Sequence, residues 1–264
     1  MDAMAAAIAE FERHGTTDLS YLRLHFGRFA TTKAMFESTW GSRRGRLLDV
    51  GAHWLHQSYL YARDGFEVTA ADVPATLGAE AVKRLAGAWG IRLLPCEELA
   101  SGQAFASLED NSFDLILFTE VLEHLAFNPV ALWRALHRVL VPGGRIVVTT
   151  PNYRALRSTL RRWSGQSLRF RGGPSVQEIL QTPTYGHHWK EYTLSEMREY
   201  FALLSGDFVV LKALHVEDCY GSVSSLARAA RVIERIVPSL RPHLYVEVEL
   251  AHKREGLADP RWAS

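Results

Sequence analysis

The sequence predicts an α/β fold in which a mostly parallel sheet carries helices on both faces. Three observations carry this expectation. Phe113, Leu115, Ile116, Leu117 and Phe118 form a nearly unbroken apolar run, the pattern of a central strand covered on both sides. That run stops abruptly at Thr119-Glu120, and Glu123 and His124 follow, so polar groups stand where open α/β sheets place their ligands, at the carboxyl end of a buried strand. Upstream, Arg46–Val50, a turn at Gly51, a helical stretch and Glu67–Ala71 read as a strand–turn–helix–strand unit.

Length and composition are consistent with this fold. A chain of 264 residues suits one α/β domain with insertions, and 47% hydrophobic residues supply a full core. A net charge of +1 gives no global field toward nucleic acid or membrane. Cys96 and Cys219 lie far apart and read as free thiols of a reducing compartment. The amino-terminal stretch lacks the basic start of a secretory leader, and Glu10, Glu12 and Arg13 interrupt its apolar run. With no apolar run of about 18 residues to span a membrane, a soluble cytoplasmic protein is expected.

Residues 1–40 read as helical, from the Ala-rich start and from Leu19, Leu22 and Phe26 at helical spacing. After the polar break Gly41–Gly45 comes the first strand, Arg46–Val50, then a helix from about His56 to Arg63 closing at Gly65. Glu67–Ala71 is the second strand and Asp72 ends it. Asp72 follows Asp49 by about 20 residues, the spacing at which an acid of a nucleotide-binding α/β unit receives ribose hydroxyls. Ala79–Ala88 is a helix, Ile91–Leu94 a short third strand and Phe113–Thr119 the fourth. Glu120, Glu123 and His124, spaced i, i+3, i+4, share one face if they lie on a helical turn.

Asn128-Pro129 opens the next helix, with Asn as cap and Pro at its first position, and Leu132, Ala135, Leu136 and Val139 as its buried stripe. Pro142-Gly143-Gly144 turns into the fifth strand, Arg145–Thr150. Tyr153–Arg171 then carries Arg154, Arg157, Arg161, Arg162, Arg169 and Arg171 without an acid. Such a run is either a solvated face or a surface for phosphate, carboxylate or nucleic-acid backbone. Thr193 and Glu196 form a capping box ahead of Leu194, Met197, Tyr200 and Phe201. Phe208–His215 is the sixth strand. A later helix is expected to bury Leu226, Ala229, Ile233 and Ile236. Leu244–Leu250 alternates as a last strand, and the charged tail from His252 is expected to fray.

FDLILFTEVLEHL, together with LVPGGRIVVTTPN from Leu140 to Asn152, resembles the fourth and fifth strands of class I S-adenosylmethionine (SAM)-dependent methyltransferases. EVLEH is similar to ubiquinone-pathway O-methyltransferases and to small-RNA 2′-O-methyltransferases. The resemblance covers roughly Arg46 to Phe201. It implies a Rossmann-like sheet of seven strands with an antiparallel last strand and a cap insertion after strand five, at about 153–186. It also implies that residues 1–40 form a lid, with 41–264 as the methyltransferase domain. The family's first turn reads acid-x-Gly-x-Gly-x-Gly. Asp49 and Gly51 match it, while His53 and Leu55 replace the other two glycines. By this resemblance SAM is the cofactor, met by Asp49, Gly51, Ala52, His53, Gln57, Asp72, Val73, Glu97 (or Glu98) and Thr119.

Transfer of a methyl group to an alcohol needs the hydroxyl to lose its proton. A histidine base is one route, with His124, His187 and His188 as candidates near the rim and Glu120 beside them. A divalent cation, Mg²⁺ or Mn²⁺, is the other. Similarity to the small-RNA enzymes assigns it Glu120, Glu123, His124 and His188. An acid–histidine cluster without metal is the alternative. The expected acceptor is a hydroxyl of a sugar, glycan or small metabolite, suggested by Trp54, Tyr153, Trp163, Tyr185, Trp189 and Tyr192. RNA 2′-O-methylation, with the arginine-rich insertion holding phosphates, is the second reading. A non-catalytic or dinucleotide-binding α/β module is the third.

Overall fold

The Phe113–Phe118 run lies at the centre of a seven-stranded sheet. The computed structural model describes residues 3–15, 18–156, 158–159, 176–217 and 225–260. The strands are β1 Arg46–Val50, β2 Glu67–Asp72, β3 Arg92–Pro95, β4 Phe113–Thr119, β5 Leu140–Pro151, β6 Phe208–Val216 and β7 His243–Leu250. Their order across the sheet is β3-β2-β1-β4-β5-β7-β6. Strands β1 to β5 pair in parallel, and β7 runs antiparallel between β5 and β6. This is the Rossmann-like, mostly parallel sheet expected from sequence.

Two apolar layers cover the sheet, and β4 feeds both. Ile116 and Phe118 join Trp133, Met197 and Phe201 on one face. Leu115 and Leu117 join Leu47, Phe36 and Tyr245 on the other. These β4 side chains are fully buried, each stabilising the fold by about 1.5–3 kcal/mol relative to an exposed position. No helix among the described residues is long and apolar enough to cross a membrane.

Ahead of β1 the chain forms α1 (Ala3–Arg13) and α2 (Leu19–Trp40). Asp18 caps α2 by accepting the Tyr21 N–H at 2.8 Å, and Gly41, at φ 75°, ends it. Leu22, Phe26, Phe29 and Phe36 are its buried stripe. The remaining helices are α3 (His56–Arg63), α4 (Pro74–Leu77), α5 (Glu80–Trp89), α6 (Val130–Val139), α7 (Val176–Gln181), α8 (Leu194–Leu204) and α9 (Ser225–Ile236). The Thr193–Glu196 capping box forms as expected.

Five local expectations are corrected. Helix α6 starts one residue later, so Pro129 holds the cap position while the Asn128 carboxamide oxygen accepts the Val130 N–H at 3.0 Å. Its stripe also includes Trp133, fully buried with its indole N–H donated to the Tyr200 hydroxyl at 2.6 Å. Strand β5 already begins at Leu140, and its pairing with β4 is broken between Phe113 and Leu115, across from the turn that holds Gly143 at φ 80°. Strand β7 is buried on both faces despite its alternation. Glu247 lies under α2, fully buried, and accepts from Arg145 (3.1 Å), Thr39 (2.8 Å) and Tyr245 (3.1 Å). Helix α9 turns Glu234 and Ala230 inward and leaves Ile233 and Ile236 exposed.

The tail does not fray before Ala258. Asp207, fully buried, receives the backbone N–H groups of Arg254 and Glu255 (both 3.0 Å), and His137 (2.9 Å) and His252 (2.6 Å) pair with it. The Ala258 N–H then bonds the Leu204 carbonyl at 2.8 Å. Arg157, Arg161, Arg162, Arg169 and Arg171, with Trp163, lie outside the described residues, as do Cys219 and the Leu226 side chain.

Candidate active site

A cavity of about 640 Å³ opens over the carboxyl ends of β1, β2 and β4, a size suited to a small-molecule ligand. Asp49, Gly51, Ala52, His53, Gln57, Asp72, Val73, Glu97, Thr119, Glu120 and His124 line it, so the structure gathers these dispersed candidates at one rim. Helix α2 closes the top with Tyr21, Arg28 and Phe29. These three were missed from sequence. The available signal was Arg28, a cation beside the buried stripe of Leu22, Phe26 and Phe29.

The first turn keeps the backbone of a glycine loop without its glycines. Gly51, His53 and Leu55 have φ of 78°, 49° and 64°. A Cβ on Gly51 would stand 2.5 Å from Val121 Cγ2, so only glycine fits there. A left-handed conformation costs a side-chain-bearing residue about 1–2 kcal/mol. Leu55 offsets this by complete burial beneath α3. His53 is only partly buried, and its Nδ1 has no hydrogen-bond partner among the described residues.

Asp72 bridges the turn and the second strand. Its Oδ2 accepts the His53 N–H at 2.7 Å and its Oδ1 accepts the Val73 N–H at 2.7 Å. Asp49 is buried below the loop and accepts the Ser58 hydroxyl at 2.6 Å. Burial pushes its carboxyl up to about 7, against the Ser58 bond and with the added repulsion of Asp72. Gln57 Oε1 accepts the Thr119 hydroxyl at 3.0 Å. Glu97 and Glu98 both reach the far wall, and Ser101 occupies the Glu98 carboxylate.

At the end of β4 the expected helical turn is not formed by all three polar residues. The Glu120 N–H still bonds the Thr149 carbonyl of β5 at 2.8 Å, and Glu120 itself has φ 55°. The helical turn begins only at Leu122, as a short 3₁₀ segment through His124. Glu120 therefore points elsewhere, and its carboxylate meets the Arg28 guanidinium at 2.7 Å. Burial would raise the Glu120 carboxyl, but Arg28 and further positive neighbours hold it below its usual value.

Glu123, His124 and His188 form a separate cluster. Their donor atoms lie within 4.8 Å of one another. His188 arrives from a distant loop because the Trp189 N–H bonds the Glu123 carbonyl at 2.7 Å. Glu123 is buried. Its Oε2 accepts the Thr150 hydroxyl at 2.9 Å, while its Oε1 accepts no hydrogen bond among the described residues. Burial, reinforced by the charge of Glu120, raises the Glu123 carboxyl well above its usual range. The rings of His124 and His188 meet edge-on, 4.8 Å between centroids. His188 Nδ1 faces Glu191 at 3.5 Å.

His124 Nδ1 lies 2.9 Å from the His187 carbonyl, which can only accept, so Nδ1 carries the proton and Nε2 keeps the lone pair. Burial and the neighbouring His188 lower the His124 pKa, so the ring is neutral at pH 7. The two imidazoles and the Glu123 carboxyl, gathered within 4.8 Å, make a donor set for a divalent cation. Mn²⁺, Fe²⁺, Co²⁺ or Zn²⁺ suits it better than Mg²⁺. Glu120 does not join the set. The His187 ring packs on Trp189, 5.5 Å between centroids, and only its carbonyl serves His124.

Among the expected aromatic rim residues, Tyr185 lines the cavity and Tyr153 is exposed. Tyr192 is core, Trp54 and Trp189 are partly buried, and Trp54 lies 5.2 Å from the His53 ring.

Residues 48–148 match the family described as Methyltransferase domain. Among curated relatives, the Ubiquinone biosynthesis O-methyltransferase of Xanthomonas oryzae pv. oryzae is 32% identical over 152 residues, 56% of this chain and 56% of that protein. The chain thus matches about half the length of its curated relatives. Among solved structures, an S-adenosylmethionine dependent methyltransferase from Mesorhizobium loti superposes with a TM-score of 0.56 at 18% identity, covering 84% of this chain and 97% of that one. The 1,6-didemethyltoxoflavin-N1-methyltransferase of Burkholderia thailandensis, crystallised with S-adenosylhomocysteine, gives 0.52 at 17% identity, covering 94% and 89%. At these identities the structural likeness speaks for the fold.

Proposed function

We propose, from the premise that this chain carries a class I SAM-dependent methyltransferase domain, that it transfers the methyl group of SAM to a hydroxyl oxygen of a small molecule or saccharide. The observation that carries the oxygen acceptor is the His124–His187 hydrogen bond. It fixes a neutral imidazole whose Nε2 is able to take a proton, at the wall of the cavity.

Asp72 holds the ribose in this reading, and Val73 with Glu97 flanks the adenine. Gly51 and the turn after it give the donor's methionine arm a close backbone approach. The donor's sulfonium then lies between that turn and the end of β4. Methyl transfer is an in-line displacement, so the protein's main task is to align acceptor oxygen, methyl carbon and sulfur. His124 takes the hydroxyl proton as the oxygen attacks, and the Thr150-anchored Glu123 is the nearest carboxylate to it.

A divalent cation fits Glu123, His124 and His188. When bound it would occupy the His124 Nε2 lone pair and, in place of the imidazole base, lower the pKa of a coordinated hydroxyl. That cluster is also what favours the second reading, RNA 2′-O-methylation, through its similarity to the small-RNA enzymes. The exposed Tyr185 at the cavity mouth supports a ring-shaped acceptor, sugar or phenol, by stacking.

The test is methyl transfer from labelled SAM to a panel of monosaccharides, catechols and short RNAs. Label on a hydroxyl of a sugar or catechol supports the reading. Label on RNA alone replaces it with the second, and salt-insensitive absence of RNA binding eliminates that one. S-adenosylhomocysteine that fails to stabilise a chain stabilised by NAD would favour the dinucleotide-binding alternative.

A further inference from the structure

The donor-side turn holds one contradiction that a glycine would remove. His53 sits at φ 49°, where glycine is free of strain, and yet carries an imidazole. Leu55, in the same predicament, is fully buried. The His53 ring is not absorbed into the core. It lines the cavity, 5.0 Å from the Tyr21 ring of α2 and 5.2 Å from Trp54. Its own backbone N–H is fastened to the ribose-side acid Asp72 at 2.7 Å. The His53 backbone is thus fixed to Asp72, and its imidazole stands against Tyr21 of α2 at the cavity wall. A strained residue held in place by its surroundings, with a side chain facing a ligand cavity, points to use of that side chain.

We propose that His53 is a positioning residue for the methionine arm of the methyl donor, its imidazole contacting the amino-acid end of SAM and S-adenosylhomocysteine. This rests on the methyltransferase reading above. The substitution trades the empty space of a glycine for a wall. The backbone keeps the glycine-type turn, and the ring closes the space between that turn and Tyr21. The amino-acid end is the one part of the donor with a carboxylate to meet a ring N–H. The nucleoside end, held by Asp72 and the far wall, gains nothing from His53.

This division makes the inference testable with a ligand pair. S-adenosylhomocysteine carries the amino-acid arm, and 5′-methylthioadenosine keeps the nucleoside and lacks the carboxylate and ammonium. Calorimetric titration of the wild-type chain, His53→Gly and His53→Asn with both ligands gives the readout. His53→Gly should weaken S-adenosylhomocysteine about tenfold, the size of one hydrogen bond to a charged group, and leave 5′-methylthioadenosine within twofold. His53→Asn tolerates the left-handed backbone and keeps a donor, so it should recover part of the loss. It also serves if the glycine variant fails to fold. A loss shared by both ligands, or a loss of twofold or less for S-adenosylhomocysteine, overturns the inference. Wild-type protein that binds neither ligand overturns the methyltransferase reading first, and this inference with it.

Discussion

The Nδ1 of His124 donates to the main-chain carbonyl of His187 at 2.9 Å. Residues far apart in sequence thereby set one tautomer, and the Trp189 N–H on the Glu123 carbonyl, at 2.7 Å, holds the two segments together. The proposed base and its orienting carbonyl come from separate segments of the chain, so tertiary contacts rather than a local turn aim the imidazole.

His124→Ala removes the proton acceptor and leaves the donor cavity formed. Its turnover should fall by about 10²–10⁴, with S-adenosylhomocysteine affinity unchanged by calorimetry. In the wild type, a base must be unprotonated to act. Burial and His188 lower the His124 pKa from 6.5, so the acid limb of the pH–rate profile should have its midpoint below 6.5. A midpoint above that value would remove His124 from the role.

Glu123, His124 and His188 predict that Mn²⁺ stabilises the purified chain. At a concentration 100-fold above its dissociation constant the gain is about 2.7 kcal/mol, roughly 5–10 °C in Tm. His188→Ala should abolish the shift while leaving the metal-free Tm nearly unchanged. A metal-free and a metal-loaded chain with equal Tm and equal turnover would leave proton transfer to His124 alone.

Asp207 governs acid stability. Burial acts to raise its carboxyl, but the N–H groups of Glu255 and Arg254, with His137 and His252, hold it at about 2, down from 3.8. A depressed folded value stabilises above the unfolded one and loses that stabilisation as pH falls through the folded one. The contribution, about 2 kcal/mol, should be complete above about pH 4 and lost toward pH 2. Urea unfolding of wild type and Asp207→Asn should show a gap at pH 7 that narrows below pH 4. A constant gap would contradict the assignment.

The sheet was legible because burial writes itself into composition. The apolar runs of β1, β2 and β4 are covered on both faces and were placed to within a residue. The rim that holds the cavity follows from where those runs stop. Glu120 shows what spacing cannot reveal. Its i, i+3, i+4 relation to Glu123 and His124 suggests one helical face, but a hydrogen bond to Thr149 on β5 keeps it in the sheet and Arg28 draws its carboxylate away. The arginine lies about 90 residues earlier, and no local pattern links the two. Helix α9 shows the same limit, since its apolar stripe names a face but not what covers it. Glu247 inverts the rule, a charged residue in an alternating strand that α2 buries together with its partners.

The proposed function places SAM in the cavity over β1, β2 and β4, held through Asp72. Calorimetric titration of S-adenosylhomocysteine into the wild-type chain and into Asp72→Ala tests it most directly. One site per chain is expected in the wild type and at least a tenfold weaker site in the variant, the loss of charge-assisted hydrogen bonds to the ribose. Heats of dilution alone from the wild-type chain, or equal affinity in the two proteins, would contradict it.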